Sequence, residues 1–190
     1  MTQWTLTIHG GSGRIERGTL SATADAGARA GLGRALDAGS AVLAQDGAAV
    51  DAVQAAIEVL EDDPHFNAGR GAALSGEGRI ELDAAIMDGA TRAAGSVAQV
   101  TRPRHPIALA RAVMDEGTHV LLAGDGADAF AAARGLEAAA PGWFELPERR
   151  RQLEELLAKG GDAFDVDMKY GTVGAVACDV HGQVAALGQQ

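Results

Sequence analysis

Trp4, Leu6 and Ile8 alternate with Thr5 and Thr7 and run into Gly10-Gly11-Ser12-Gly13, the pattern of a half-buried strand that ends in a turn. An Ala-rich stretch from about Ser21 to Leu43 predicts a helix with Leu32, Leu36 and Leu43 on one face, although internal glycines weaken its ends. Asp46-Gly47 interrupts it. Val50, Val53, Ile57 and Leu60 then recur at helical spacing up to Pro64, which stops the helix. Gly71–Leu74 and Arg79–Met87 flank Ser75-Gly76-Glu77-Gly78, the pattern of a hairpin.

Further on, Gly95–Val100 reads as a short strand and Pro106 to Gly117 as a helix, with proline at its first position and glycine just past its end. His119–Ala123 reads as a strand, and Ala127–Arg134 and the charged Glu148–Lys159 as helices. Gly160 to Tyr170 has no clear period and reads as a linker. Thr172–Cys178 is apolar at successive positions, as a central strand would be, and Asp179–Gly182 turns into a return strand, Val184–Leu187. That last strand is expected to be barely paired. Strands mixed with helices on this scale predict a layered α/β or α+β fold without internal repeats.

Composition narrows the function. The 190 residues carry 16 Lys+Arg and 26 Asp+Glu, a net charge of −10, which disfavours nucleic acid and anionic membrane surfaces as partners. Hydrophobic residues make up 47%, enough for a packed core. The single cysteine, Cys178, excludes an internal disulfide framework and a cysteine-based zinc cage. Without an apolar run of about 18 residues or a signal-like start, the reading is a cytoplasmic domain.

Three features invite a chemical reading. Gly124-Asp125-Gly126-Ala127-Asp128-Ala129 fits G-x-G-x-x-A between a strand and a helix, with Glu145 downstream, so a dinucleotide-binding module is one alternative. Asp125 and Asp128 weigh against it, since they would face a pyrophosphate. The histidines His9, His65, His105, His119 and His181 form no metal-binding pair, and His9 reads as a residue that orients the glycine loop. Finally, Gly171-Thr172 opens a buried strand straight after the linker. A Thr hydroxyl can attack the preceding carbonyl, and hydrolysis of the resulting ester frees an N-terminal Thr. Its α-amine, with a reference pKa of about 7.7–8.0, is then a built-in base for its own hydroxyl. Elsewhere such a Thr is an ordinary β-branched strand residue.

Three blocks carry a resemblance: Ile8-His9-Gly10-Gly11-Ser12-Gly13; Asp63-Pro64-His65-Phe66-Asn67-Ala68-Gly69-Arg70-Gly71-Ala72 with Glu81 to Gly89; and Gly171-Thr172-Val173-Gly174-Ala175-Val176-Ala177. In order and spacing, from about Trp4 to Ala186, the chain resembles the plant-type L-asparaginase/isoaspartyl peptidase family of N-terminal-nucleophile hydrolases.

The resemblance implies an αββα sandwich, here incomplete, and hydrolysis of L-asparagine or β-aspartyl peptides after autocatalytic cleavage. It implies Thr172 as the nucleophile, Gly171 as the residue before the cut, Asn67 as a supporting side chain, and Gly10 and Gly11 as part of an adjusting glycine loop. It implies no catalytic cofactor, but a structural sodium ion ringed by the main-chain carbonyls of Leu60, Glu61, Asp63, Phe66, Ala68 and Arg70. It also implies a dimer of αβ heterodimers. On this reading residues 1–190 are one partial domain: 1–171 resembles the α subunit, with a linker at about 160–171, and 172–190 begins the β subunit. The resemblance stops after Ala186. Gln190 stands where the family has a Thr that supports the nucleophile, and the family's substrate-gripping Arg and Asp and its Thr-Gly oxyanion pair have no counterpart, so the chain is expected to be truncated. A non-catalytic scaffold or interaction protein is the other alternative.

Overall fold

A computed structural model describes residues 3–11, 21–158, 160 and 172–189. The linker at 160–171, apart from Gly160, falls outside the described residues, as do Ser12, Gly13, Gly171 and Gln190. Strand β1 (Thr5–His9) leads to helices α1 (Ala22–Ala44) and α2 (Ala49–Asp62), then to strands β2 (Leu82–Asp88) and β3 (Ala94–Val100). Helix α3 (Pro106–Glu116), strand β4 (Leu121–Ala123) and helices α4 (Gly124–Ala133) and α5 (Pro147–Ala158) follow, and β5 (Val173–Cys178) and β6 (Val184–Gln189) close the order.

The strands form one six-stranded sheet in the order β1-β5-β6-β2-β3-β4, antiparallel except for the β3–β4 pair. This corrects the expectation for the last strand. β6 is not barely paired but central, bonded to β5 on one side and to β2 on the other. The expected hairpin around Ser75–Gly78 is also corrected: a turn is present, with Ser75 N–H donating to Arg79 O at 2.8 Å, but residues 71–74 form no strand. β2 takes β3 and β6 as its neighbours instead.

Helices α1 to α4 lie on one face of the sheet. Val53, Ile57 and Leu60 of α2 are wholly buried and so are Ile107, Leu109 and Val113 of α3; they close over Val173, Ala175 and Ala177 of β5 and Leu82 and Ile86 of β2. The buried stripe of α1 shares only Leu43 with the expected leucine face. It consists of Gly31, Ala35, Gly39 and Leu43, whereas Leu36 is 38% exposed. Small residues win there because the neighbours come so close. A Cβ on Gly39 would lie 2.6 Å from Leu6 Cδ2 and 2.8 Å from the carbonyl oxygen of Ala52.

The other face of the sheet is open among the described residues. Val176, Val184 and Met87 point there, 53%, 51% and 44% exposed, so β5 is apolar on both sides but buried on only one. This is the layered α+β architecture expected from the sequence, with helices over one face of a mixed sheet.

Candidate active site

Thr172 lies immediately before β5 and is half-buried. Val173, Ala175 and Ala177 face the helices, so the alternation of the strand puts Thr172 on the open side together with Gly174 and Val176. β1 runs antiparallel beside β5, with His9 paired to Gly174. The pairing ends there, two residues short of both Gly11 and Thr172. Gly11 has φ +125°, a backbone region that side chains disfavour, so glycine is required at that point.

The loop after α2 is tied to the same corner. The ring of Phe66 fills the space that side chains on two glycines would occupy. A Cβ on Gly10 would lie 2.6 Å from Phe66 Cε1, and a Cβ on Gly31 would lie 2.7 Å from Phe66 Cε2. Phe66 is 3% exposed and holds the loop between the end of β1 and helix α1. Asn67 follows it, 5% exposed, and its Oδ1 accepts a hydrogen bond from Ala73 N–H at 2.7 Å. Asp63 is also buried. Its Oδ2 accepts from Arg34 Nη2 at 2.6 Å, and its Oδ1 accepts the His65 N–H at 2.9 Å and lies 2.6 Å from His65 Nδ1.

The loop folds back tightly on its own main chain. A Cβ on Gly69 would overlap the carbonyl oxygen of Glu61, and one on Gly71 would overlap that of Phe66. The carbonyls of Leu60, Asp63 and Ala68 each accept one hydrogen bond, from Asp63, Phe66 and Gly71, which leaves each a second lone pair. Uncharged oxygens of this kind suit a hard cation. Among the described residues no group of three or more His, Cys, Asp or Glu side chains is placed to hold a metal.

Glu61 is the electrostatic outlier. It is fully buried, its Oε1 accepts from Ile107 N–H at 3.0 Å in the first turn of α3, and its Oε2 has no partner. Burial pushes its carboxyl well above the usual range, against the opposing effect of that hydrogen bond. Nearby, Trp143 is clasped between two guanidinium groups, with Arg70 and Arg104 at 4.6 and 4.5 Å from its ring. Arg104 also holds Asp62 through two bonds of 3.0 and 2.9 Å, so the segment 139–145 braces both ends of the 62–70 loop.

The structure therefore ties Gly10 to the loop carrying Asn67 through Phe66 and sets β1, which leads into Gly10 and Gly11, beside β5, which Thr172 precedes, while Gly171 lies outside the described residues. Sequence reasoning gave His9 a minor role and gave none to Trp143, Arg34 or Arg149. Arg149 is buried in α5 and donates through Nε to the carbonyl of Gly71 at 2.7 Å. A buried arginine on a charged helix is invisible to periodicity. For His9 the signal was its place at a strand end before glycines. For the dinucleotide alternative, the expected strand before and helix after the motif are present as β4 and α4, but Glu145 lies on no second strand. Asp128 is buried and accepts from Thr101 Oγ1 at 2.8 Å, fixing the end of β3.

The chain is 40% identical over 193 residues to an isoaspartyl peptidase of Salmonella typhimurium, covering 98% of this chain and 62% of that protein. It is 43% identical over 180 residues to a human isoaspartyl peptidase/L-asparaginase, covering 94% of this chain and 57% of the relative. With the corresponding protein of Bos taurus the identity is 47% over 159 residues, covering 83% and 51%. The chain thus spans between half and two thirds of the length of these relatives. The asparaginase family matches residues 2–188, and this chain belongs to it.

Proposed function

We propose that the chain carries the nucleophile-bearing part of an amidohydrolase that acts on β-aspartyl amides, L-asparagine or isoaspartyl peptides, with Thr172 as the nucleophile. The observation that carries this reading is the position of Thr172 at the head of β5, on the open side of the sheet and just beyond the last pair that β5 makes with β1. Thr172 Oγ attacks the carbonyl carbon of Gly171, and the amide nitrogen leaves as the new α-amine. Water then hydrolyses the ester, giving a carboxylate on Gly171 and an N-terminal Thr172. That amine takes the hydroxyl proton as Oγ attacks the β-carbonyl of the substrate. Ammonia or an amino acid departs with a proton, and water releases aspartate from the β-aspartyl ester. In this reading Asn67 supports the reacting group, and Gly10 and Gly11 give the backbone room to adjust.

The carbonyls of Leu60, Glu61, Asp63, Phe66, Ala68 and Arg70 would hold a sodium ion. When bound, the ion supplies a fixed positive charge that stiffens the loop around Asn67. The relatives named as isoaspartyl peptidases support the substrate class, and assembly as a dimer of αβ heterodimers belongs to the same reading. The test is aspartate release from L-asparagine and from a β-aspartyl dipeptide by the chain and by its Thr172→Ala variant. Release by the native chain that falls by about a thousandfold in the variant supports the reading. Equal release from both contradicts it.

The open sheet face favours a second reading, a non-catalytic scaffold that pairs with another chain. Val176, Val184 and Met87 present an apolar surface there. A chain that stays monomeric and soluble and captures no partner would sink it.

No helix among the described residues is long and apolar enough to cross a membrane.

A further inference from the structure

His9 and Gly174 are paired across β1 and β5, and their contact is unusual for a cross-strand pair. A Cβ built on Gly174 would overlap His9 Nε2 and lie 2.8 Å from Cδ2, so the imidazole occupies the volume where a side chain at 174 would stand. His9 is itself exposed, so its ring covers Gly174 from the solvent side. On the open side of β5, Val176 is 53% exposed while Gly174 is buried, two residues away in the same strand. On the other flank Gly174 pairs with Gly188, where a Cβ would meet nothing within 4 Å, so β6 sends no side chain towards this spot. Among the described residues the His9 imidazole makes no hydrogen bond or ion pair.

We propose that His9 is a positioning residue for Thr172: its imidazole, lodged over Gly174, locks the end of β1 to the start of β5 and so fixes the Gly10-Gly11 segment relative to Thr172. The proposal builds on the assignment of Thr172 as the nucleophile. Glycine in a strand leaves a gap that weakens pairing unless another group fills it. Here the gap lies two residues from Thr172, and His9 immediately precedes Gly10-Gly11. Pushing the ring out, or removing it, lets this corner of the sheet shift by a fraction of an ångström or more. The ring acts by its shape and not by its charge.

The test uses the full chain with His9→Ala, His9→Gln, Gly174→Ala and the double variant His9→Ala/Gly174→Ala. Two quantities are read: the rate at which intact mass splits at Gly171/Thr172, well below the unfolding temperature, and the unfolding temperature itself. His9→Ala and Gly174→Ala are expected to slow the split by about a hundredfold, the scale of a small misplacement at a reacting centre. His9→Gln, which refills the gap, is expected to restore most of the rate. Gly174→Ala should lower the unfolding temperature in the native chain but not in the His9→Ala chain, where the added methyl has room. Splitting at the native rate in His9→Ala overturns the proposal, and so does an equal cost of Gly174→Ala in both backgrounds. Absence of any split in the native chain would instead count against Thr172 as the nucleophile. The temperature cycle then decides the lock alone, coupling supporting it and additivity overturning it.

Discussion

The carboxylate of Asp179 accepts a hydrogen bond from Ala49 N–H at 3.3 Å, joining the turn after β5 to the first turn of α2 across 130 residues of sequence. Helix α2 has no side-chain cap of its own, because Ala48 occupies that position. The buried Asp179 supplies the missing acceptor from the other end of the chain, while its Oδ1 accepts from His181 and Gln183 N–H at 2.9 and 3.0 Å.

Replacing Asp179 removes a tertiary cap and three hydrogen bonds at a buried site. Asp179→Ala is expected to destabilise the fold by about 1–2 kcal/mol, the cost of losing a helix cap and leaving the buried Ala49 N–H unpaired. Urea unfolding measures it, and a midpoint equal to that of the native chain contradicts it.

Two glycines of α1 should respond to alanine with opposite signs. A Cβ on Gly31 would lie 2.5 Å from Asp63 Oδ2 and 2.7 Å from Phe66 Cε2, whereas a Cβ on Gly33 would meet nothing within 4 Å. Alanine gains up to about 1 kcal/mol over glycine within a helix, and overpacking costs about 1–3 kcal/mol. Gly33→Ala is therefore expected to stabilise and Gly31→Ala to destabilise, each read from thermal unfolding. The same sign for both would mean that Phe66 is not held against α1.

Glu61 links stability to pH through its side chain. Its folded-state pKa is raised by burial, so the folded chain holds a proton that the unfolded chain releases. The stability tied to that proton is fully present below the ordinary carboxylate pKa of about 4.3 and is lost as pH rises through the folded value. Glu61→Gln keeps an oxygen for Ile107 N–H and removes the titration. Its advantage over the native chain should grow as pH rises from 4 towards 8, followed by unfolding temperature. A constant difference across that range contradicts the assignment.

Much of this was legible from local pattern. The run Val50, Val53, Ile57, Leu60 gave α2, Pro106 and Gly117 bounded α3, and Gly117 takes φ +74° at the cap. What could not be read locally came from partners distant in sequence. α1 buries Gly31, Ala35 and Gly39 because Phe66, Asp63, Leu6 and Ala52 come close, and nothing in its own period announces them. β6 is central because β2, about 100 residues earlier, pairs with it, and strand patterns do not reveal their neighbours. At the candidate site the residue types were visible as motifs, but the ring of His9 over Gly174 required the register of β1 on β5.

The most direct measurement is the intact mass of the freshly purified chain, followed over days at neutral pH. An activated Thr172 predicts that the 19.3 kDa species gives way to two fragments that meet between Gly171 and Thr172. Thr172→Ala should stay whole. A native chain that holds at 19.3 kDa throughout would contradict the account of Thr172 as a nucleophile freed by its own attack.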